Sequence, residues 1–228
     1  MARSRAILLG MLALLAFPGA VPPDDHRTHP QFDARIAAVR TLGLVEPTVD
    51  AFELQASGTR LARPDWSEAG RRNVLAALEK EMQAHGFAVK PVAPAGAEGK
   101  EELRQVRLLY EAVGGAIVQA TYANAFPWKL DRFEYSVGDV RALTAAAGVD
   151  ALVFTYGMAN ISSGGRVALQ VFGAAGSGID WLILGIVDGN GEVLWFGRVH
   201  STTSDVRDPQ HAAILVQSAT DRLPRRSR

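Results

Sequence analysis

IDWLILGIVDGNGEVLWFGRV, residues 179–199, carries two apolar runs separated by a short polar break. Residues 179–187 are apolar apart from Asp180, and β-branched residues recur through them. A run of this length, bounded by turn residues, reads as a strand buried within a sheet. Asp188-Gly189-Asn190-Gly191 is a hairpin signal, because Asn and Gly accept the positive φ that tight hairpin turns need. Residues 192–199 then form the partner strand. A buried hairpin near the C-terminus is therefore predicted, and the rest of the chain has to supply what covers it.

Just upstream, residues 151–156 (ALVFTY) form another mostly apolar strand. Gly148 before it closes a short helix carrying Val140, Leu143 and Ala147, with Ser136 and Asp139 as a capping box. Further back, a helix begins near Lys100 and lines one face with Leu103, Val106, Leu109 and Val113; Gly114-Gly115 interrupts it, and a further helical stretch runs toward Ala125. An earlier helix starts at Asp65, with Asp65 and Glu68 as a capping box, a stripe of Val74, Leu75, Leu78 and Met82, and Gly86 as a left-handed stop. Residues 87–92 follow as a strand. Pro47 opens a strand with Phe52 and Leu54 on one face, and Phe32, Ile36, Val39 and Leu42 recur at helical spacing. Residues 161–178 fit a strand or a helix equally well. Downstream of the hairpin, Asp208-Pro209 starts a last helix that Pro224 stops.

The fold class is therefore α/β: a single-domain sandwich with helices packed on a mixed sheet, a C-terminal β-hairpin and a closing helix. The predicted organisation is a signal peptide over residues 1–20, a linker and short helix over 21–46, the α/β domain over 47–223 and a basic tail over 224–228. The chain has 228 residues, 48% hydrophobic and 21% charged, with a formal net charge of +0. That composition supports one real core and gives no long-range field favouring nucleic acid. The absence of cysteine excludes disulfides, thiolate metal sites, cysteine nucleophiles and a lipid anchor on cysteine.

Arg3 and Arg5, the apolar run 6–17 and Pro18-Gly19-Ala20 have the layout of a secretory signal peptide. The run is shorter than the roughly 20 residues that span a bilayer. Export with cleavage after Ala20 is expected, leaving a periplasmic protein; an uncleaved N-terminal anchor is the alternative.

The search for chemistry finds no phosphate loop, dinucleotide fingerprint, zinc helix or nucleophile elbow. Asp24, Asp25, His26 and His29 have the donor types for a divalent ion but stand in a linker, so solvated charge is the expectation and no metal is assigned. Asp188, Asn190 and Glu192 look like the start of a calcium loop that is too short, so they are assigned to the turn. Ser162, Ser163, Gly164, Gly165 and Arg166 form the candidate anion-binding segment. Successive N–H groups in a Gly-rich turn can face an anion, and an arginine can fork onto it; a plain connection is the alternative. No catalytic residue and no cofactor are assigned.

Three sets of residues carry a resemblance. They are the Ala147-Gly148-Val149-Asp150-Ala151-Leu152 step into a strand, the Val187-Asp188-Gly189-Asn190-Gly191-Glu192-Val193-Leu194-Trp195 hairpin, and Asp65-Trp66-Ser67 opening a helix. Together they resemble a group of bacterial envelope proteins similar to the curli-secretion protein CsgG and to LpoB, the activator of a penicillin-binding protein. The resemblance implies an α/β fold and a partner-binding or assembly role in the cell envelope. It brings no catalytic residues with it. Members of the group are commonly lipidated on a cysteine, which this chain lacks.

The expected function is thus a non-enzymatic exported envelope protein with a partner-binding or assembly-support role. Its partner would be an envelope protein or a second copy of itself, with contact to a membrane surface left open. One alternative is a periplasmic carrier of an apolar ligand, using a cleft near Gly114-Gly115, Trp128 and Trp181. The other is a hydrolase using Ser162 or Ser163 with His200.

Overall fold

The computed structural model describes residues 26–123, 125–171, 180–202 and 205–226. Residues 1–25, which include the expected signal peptide with Asp24 and Asp25, and the stretch 172–179 lie outside them. The mixed sheet is built on one long strand, β6 (Ala151–Ser162), twelve residues where only 151–156 were legible as a strand. On one side β6 pairs antiparallel with β7 (Asp180–Asp188), which pairs with β8 (Val193–Ser201), the predicted hairpin. A short strand, β1 (His26–Thr28), closes the outer edge of β8. On its other side β6 is shared end to end. Its first half pairs in parallel with β2 (Thr41–Leu44) and its second half with β3 (Thr48–Leu54). Beyond these lie two short edge strands, β5 (Ala88–Pro91) beside β2 and β4 (Arg60–Ala62) beside β3.

Register fixes which residues face which way, because side chains alternate along a strand. Val153, Ile186 and Trp195 lie in one row, and Phe154, Gly185 and Phe196 in the next, so the two rows point to opposite faces. The first face is covered by helices α1 (Phe32–Ala38), α2 (Pro64–Ala84) and α6 (Pro209–Thr220), through Phe32, Val74, Leu78, Met82, Leu215 and Val216. The second is covered by α3 (Gly96–Ile117) and α4 (Arg141–Ala147), through Val106, Tyr110, Ile117 and Leu143. The molecule is a three-layer sandwich, and β7 reads as continuously apolar because both its faces are buried.

Several local expectations change on folding. The helical spacing from Phe32 holds only to Ala38, and Leu42 belongs to β2. Neither capping box forms. Asp65 sits in the first turn of α2 and pairs with Arg63 at 3.0 Å, while Asp139 accepts the Arg141 backbone N–H at 2.9 Å and its guanidinium as well. Gly114-Gly115 does not interrupt α3, because the helix is held down on the sheet there: a Cβ on Gly114 would collide with the Tyr156 hydroxyl. Irregularity comes three residues later, in a π-helical turn at Val118–Tyr122. Of the ambiguous stretch 161–178, the described part forms the end of β6 and a short helix, α5 (Gly164–Val171); residues 172–178 lie outside the described residues. Gly148 ends α4 in the left-handed region, and Asp208 caps α6 by accepting the Gln210 N–H at 2.7 Å, both as the sequence indicates. Arg226 in the basic tail is docked. Its backbone N–H donates to the His85 carbonyl, and its guanidinium donates to Ala37 and lies over Phe87.

Candidate functional site

The second face of the sheet is not covered along its whole length, and the reason lies in α3. Tyr110 anchors that helix. Its ring stacks on Phe154 at 5.0 Å, and its hydroxyl occupies the space left by Gly185. One turn on, Gly114 meets Tyr156. The next residues, Gly115 and Val118, border open space as the helix passes into its π turn. The far ends of β6, β7 and β8 are left with less cover. Two successive rows of that face are Tyr156–Ile183–Arg198 and Met158–Trp181–His200. Between these rows and the end of α3 lies a cavity of about 520 Å³, lined by Glu111, Gly115, Val118, Tyr156, Trp181, Ile183, Arg198 and His200.

The walls are mainly apolar and aromatic. Tyr156 and Trp181 meet edge to face at 5.5 Å, and a side chain added at Gly115 would enter open space. The Tyr156 hydroxyl donates to the Glu111 carbonyl at 3.5 Å. Burial, helped by the nearby Glu111 carboxylate, raises its pKa beyond the phenol range, so it stays a neutral donor. Arg198 is the cation of the site. Its guanidinium lies over the Tyr122 ring at 4.4 Å, and Arg27 lies over the same ring at 4.0 Å. The Arg198 Nε is buried without an acceptor, and no carboxylate pairs with Arg198 among the described residues. A guanidinium held by a ring rather than by an acid keeps its hydrogen-bonding capacity for something else.

The sequence-predicted sites lie elsewhere. Ser162 ends β6, and Ser163 to Arg166 lead into α5. The Ser163 hydroxyl accepts the Arg166 N–H at 3.3 Å, the Arg166 guanidinium donates to the Gln55 carbonyl at 3.4 Å, and Ser162 accepts from Gln170 at 3.0 Å. These groups are engaged with the chain's own turn, and none of these residues lines the cavity. The pairing of serine with His200 needed for hydrolysis is not made. His200 shares a row with Met158, and Ser162 lies four residues farther along β6, about 13 Å away along the strand and two strands across. Of the metal-like cluster, His26 stacks on Trp195 at 4.7 Å and His29 accepts the Gln31 N–H at 3.0 Å. Among the described residues no group of three or more potential metal ligands occurs. Asp188 spends its carboxylate on the turn, accepting from Asn190 and Glu192 at 3.1 Å, and on an ion pair with Arg35 of α1.

The sequence matches no protein-family model and no curated protein. Solved structures do align with it. One is the lipoprotein GNA1162 of Neisseria meningitidis, at 14% identity, over 71% of this chain and 79% of that one, with a TM-score of 0.33. Another is the C-terminal domain of LpoB from Salmonella enterica, at 12% identity, over 78% and 96% of the two chains, with a TM-score of 0.27. E. coli LpoB aligns at 11% identity over 88% and 82%, with a TM-score of 0.28.

The cleft expected near Gly114-Gly115 and Trp181 thus exists, but Trp128 is not on its wall. Trp128 is 61% exposed, packs edge to face on Phe126 at 5.3 Å, and stands beside the exposed Leu130. The sequence reading missed Arg198, Glu111 and Tyr156. Arg198 had a usable signal: it is the single charge in the run VLWFGRV, in step with Phe196 and so on an inward-facing position.

Proposed function

We propose that this chain is an exported, non-enzymatic protein of the bacterial cell envelope that works by binding a partner protein. The observation that carries the reading is the aromatic loop 126–130. Phe126, Trp128 and Leu130 are each nearly half exposed or more, and they stand together on one short segment that includes a 3-10 turn at Pro127–Lys129. Large apolar side chains clustered at the surface and pre-shaped by a proline mark an interaction surface, and tryptophan is the residue most enriched at the centre of such surfaces. Export is supported by the charged start and apolar run of residues 1–20. Among the described residues no helix is long and apolar enough to cross a membrane. Ser162 and Ser163 stand apart from His200, so they do not form the serine–histidine pair that the hydrolase alternative needs.

The test places a photo-crosslinking amino acid at position 128 in living cells, with the same probe at Ile214, exposed on α6 at the opposite face, as control. One envelope protein captured from position 128 and not from 214 is the expected result. Crosslinks only to lipid, only to a second copy of the chain, or equally from both positions would overturn the reading of this loop as a partner-protein site.

A further inference from the structure

We propose that the cavity under the end of α3 binds a single-chain amphiphile with an anionic head, whose apolar tail lies along Val118, Tyr156, Trp181 and Ile183 and whose head meets Arg198. The inference does not rest on the partner-binding reading, which concerns a different loop. Three observations carry it. The first is size. About 520 Å³ falls in the range of single-ligand pockets, about 300–1,000 Å³, and accommodates one alkyl chain rather than a folded peptide segment. The second is chemistry. The tail region is aliphatic and aromatic, and the Tyr156 hydroxyl is already turned onto the Glu111 carbonyl, so little in it demands a polar partner. The third is the placement of charge.

Arg198 is held over Tyr122 with its Nε buried and unpaired. Arg27 stands on the same ring, so the cavity is cationic at the β8 side. A carboxylate or phosphate there would supply the acceptor that Arg198 lacks, in the forked geometry guanidinium prefers. Glu111, the one carboxylate on the wall among the described residues, stands by Tyr156 at the α3 side and makes no ion pair with Arg198. It orients an anionic head toward β8 by repelling it from the opposite wall. A cationic amphiphile would have to place its head toward Glu111 and leave Arg198 unpaired in the apolar site, which is the less favourable arrangement.

The probes are dodecanoate, dodecyltrimethylammonium and dodecanol, each below its micellar concentration, added to the full chain and followed by tryptophan fluorescence and calorimetry. Saturable binding of one dodecanoate per chain is expected, with the ammonium analogue at least about tenfold weaker. Trp181→Phe should remove the fluorescence response while the heat of binding remains. Arg198→Gln should remove the preference for the anion and leave dodecanol binding within about twofold, since it deletes charge and keeps the apolar walls. Gly115→Leu puts a side chain into the open cavity and should abolish all binding in a protein with unchanged circular dichroism. Should Arg198→Gln fail to fold, the Gly115→Leu comparison still decides. No saturable binding of dodecanoate, equal binding of anion and cation, or undiminished binding to Gly115→Leu would each overturn the proposal.

Discussion

The chain places a few polar atoms where burial is expensive, and each yields a prediction. Asp180 opens β7 with only 3% of its surface exposed. Burial raises its pKa from 3.8 to about 6, opposed by the Asn160 N–H it accepts at 2.6 Å and reinforced by the nearby Asp205. Asp205 itself is held below the usual carboxylate range, burial being outweighed by its hydrogen bonds and ion pair with Arg207. A raised carboxyl pKa means that the fold favours the protonated form. The associated stability is present below pH about 4 and is lost as pH rises through 6, by about 3 kcal/mol for a shift of roughly two units. Asp180→Asn keeps the acceptor for Asn160 and removes the charge. Thermal unfolding should show it more stable than the parent at pH 8 and indistinguishable at pH 4; equal stability at pH 8 would reject the account. Tyr110 offers a second case, because its buried hydroxyl has no partner and sits where Gly185 has no Cβ. Tyr110→Phe should leave stability unchanged or raise it by about 1 kcal/mol, whereas Gly185→Ala should lower it by about 1–3 kcal/mol, both read from denaturant midpoints.

Elements were legible where the pattern was local and long. The hairpin at 179–199, α2, α6 and the Gly148 stop came from periodicity and turn chemistry, because those signals act within a few residues. The short strands β1, β2 and β4 did not, since three or four residues carry no period and exist as strands only through partners far along the chain. The continuity of α3 across Gly114-Gly115 was equally hidden: a glycine pair reads as a break until the opposing Tyr156 is known. Hairpin and scaffold meet at one element-scale clamp. Val137 donates its N–H to the Gly191 carbonyl at 2.9 Å, Val193 donates to Tyr135 at 2.8 Å, and Ser136 bridges to Glu192. Gly191 has φ +82°, and a Cβ there would run into the Gly138 carbonyl. Gly191→Ala should therefore cost about 2–4 kcal/mol, more than an unclamped turn glycine would, and should raise hydrogen exchange at the Val137 and Val193 amides as well as in the turn. Exchange confined to the turn would show that the clamp carries no load.

At the scale of the whole molecule, the sequence pointed to a cleft near Gly114-Gly115 and Trp181 but not to its other walls, because the cavity is made by where a helix stops covering a sheet. Gly115, Tyr156, Trp181 and Arg198 are far apart in the chain; register and the π turn bring them together. The sheet's edges follow the same logic. β8 is long and apolar, and its outer edge would be an open template for pairing with other chains. It is closed by three residues of β1 and by α1, with His26 and Phe32 both packed on Trp195, which is 1% exposed. Arg35 of α1 pairs with Asp188 at the hairpin, tying the cover to the strand's partner. The edges at β4 and β5 are only three and four residues long and need no such cover. Deleting residues 26–40 should therefore expose Trp195 and the β8 edge together. The truncated chain should show a red-shifted tryptophan emission and concentration-dependent association in size-exclusion chromatography. Blocking the edge by introducing a lysine in place of Phe196 would confuse the test, because Phe196 is core on the other face; Arg198→Pro would likewise disturb the cavity. The clean comparison is Phe32→Ala with Arg35→Ala in the full-length chain, which loosens α1 and leaves β1 in place. If that variant stays monomeric while the deletion associates, β1 is the guard of the edge; if both associate equally, the guard is α1 and its ion pair to the hairpin.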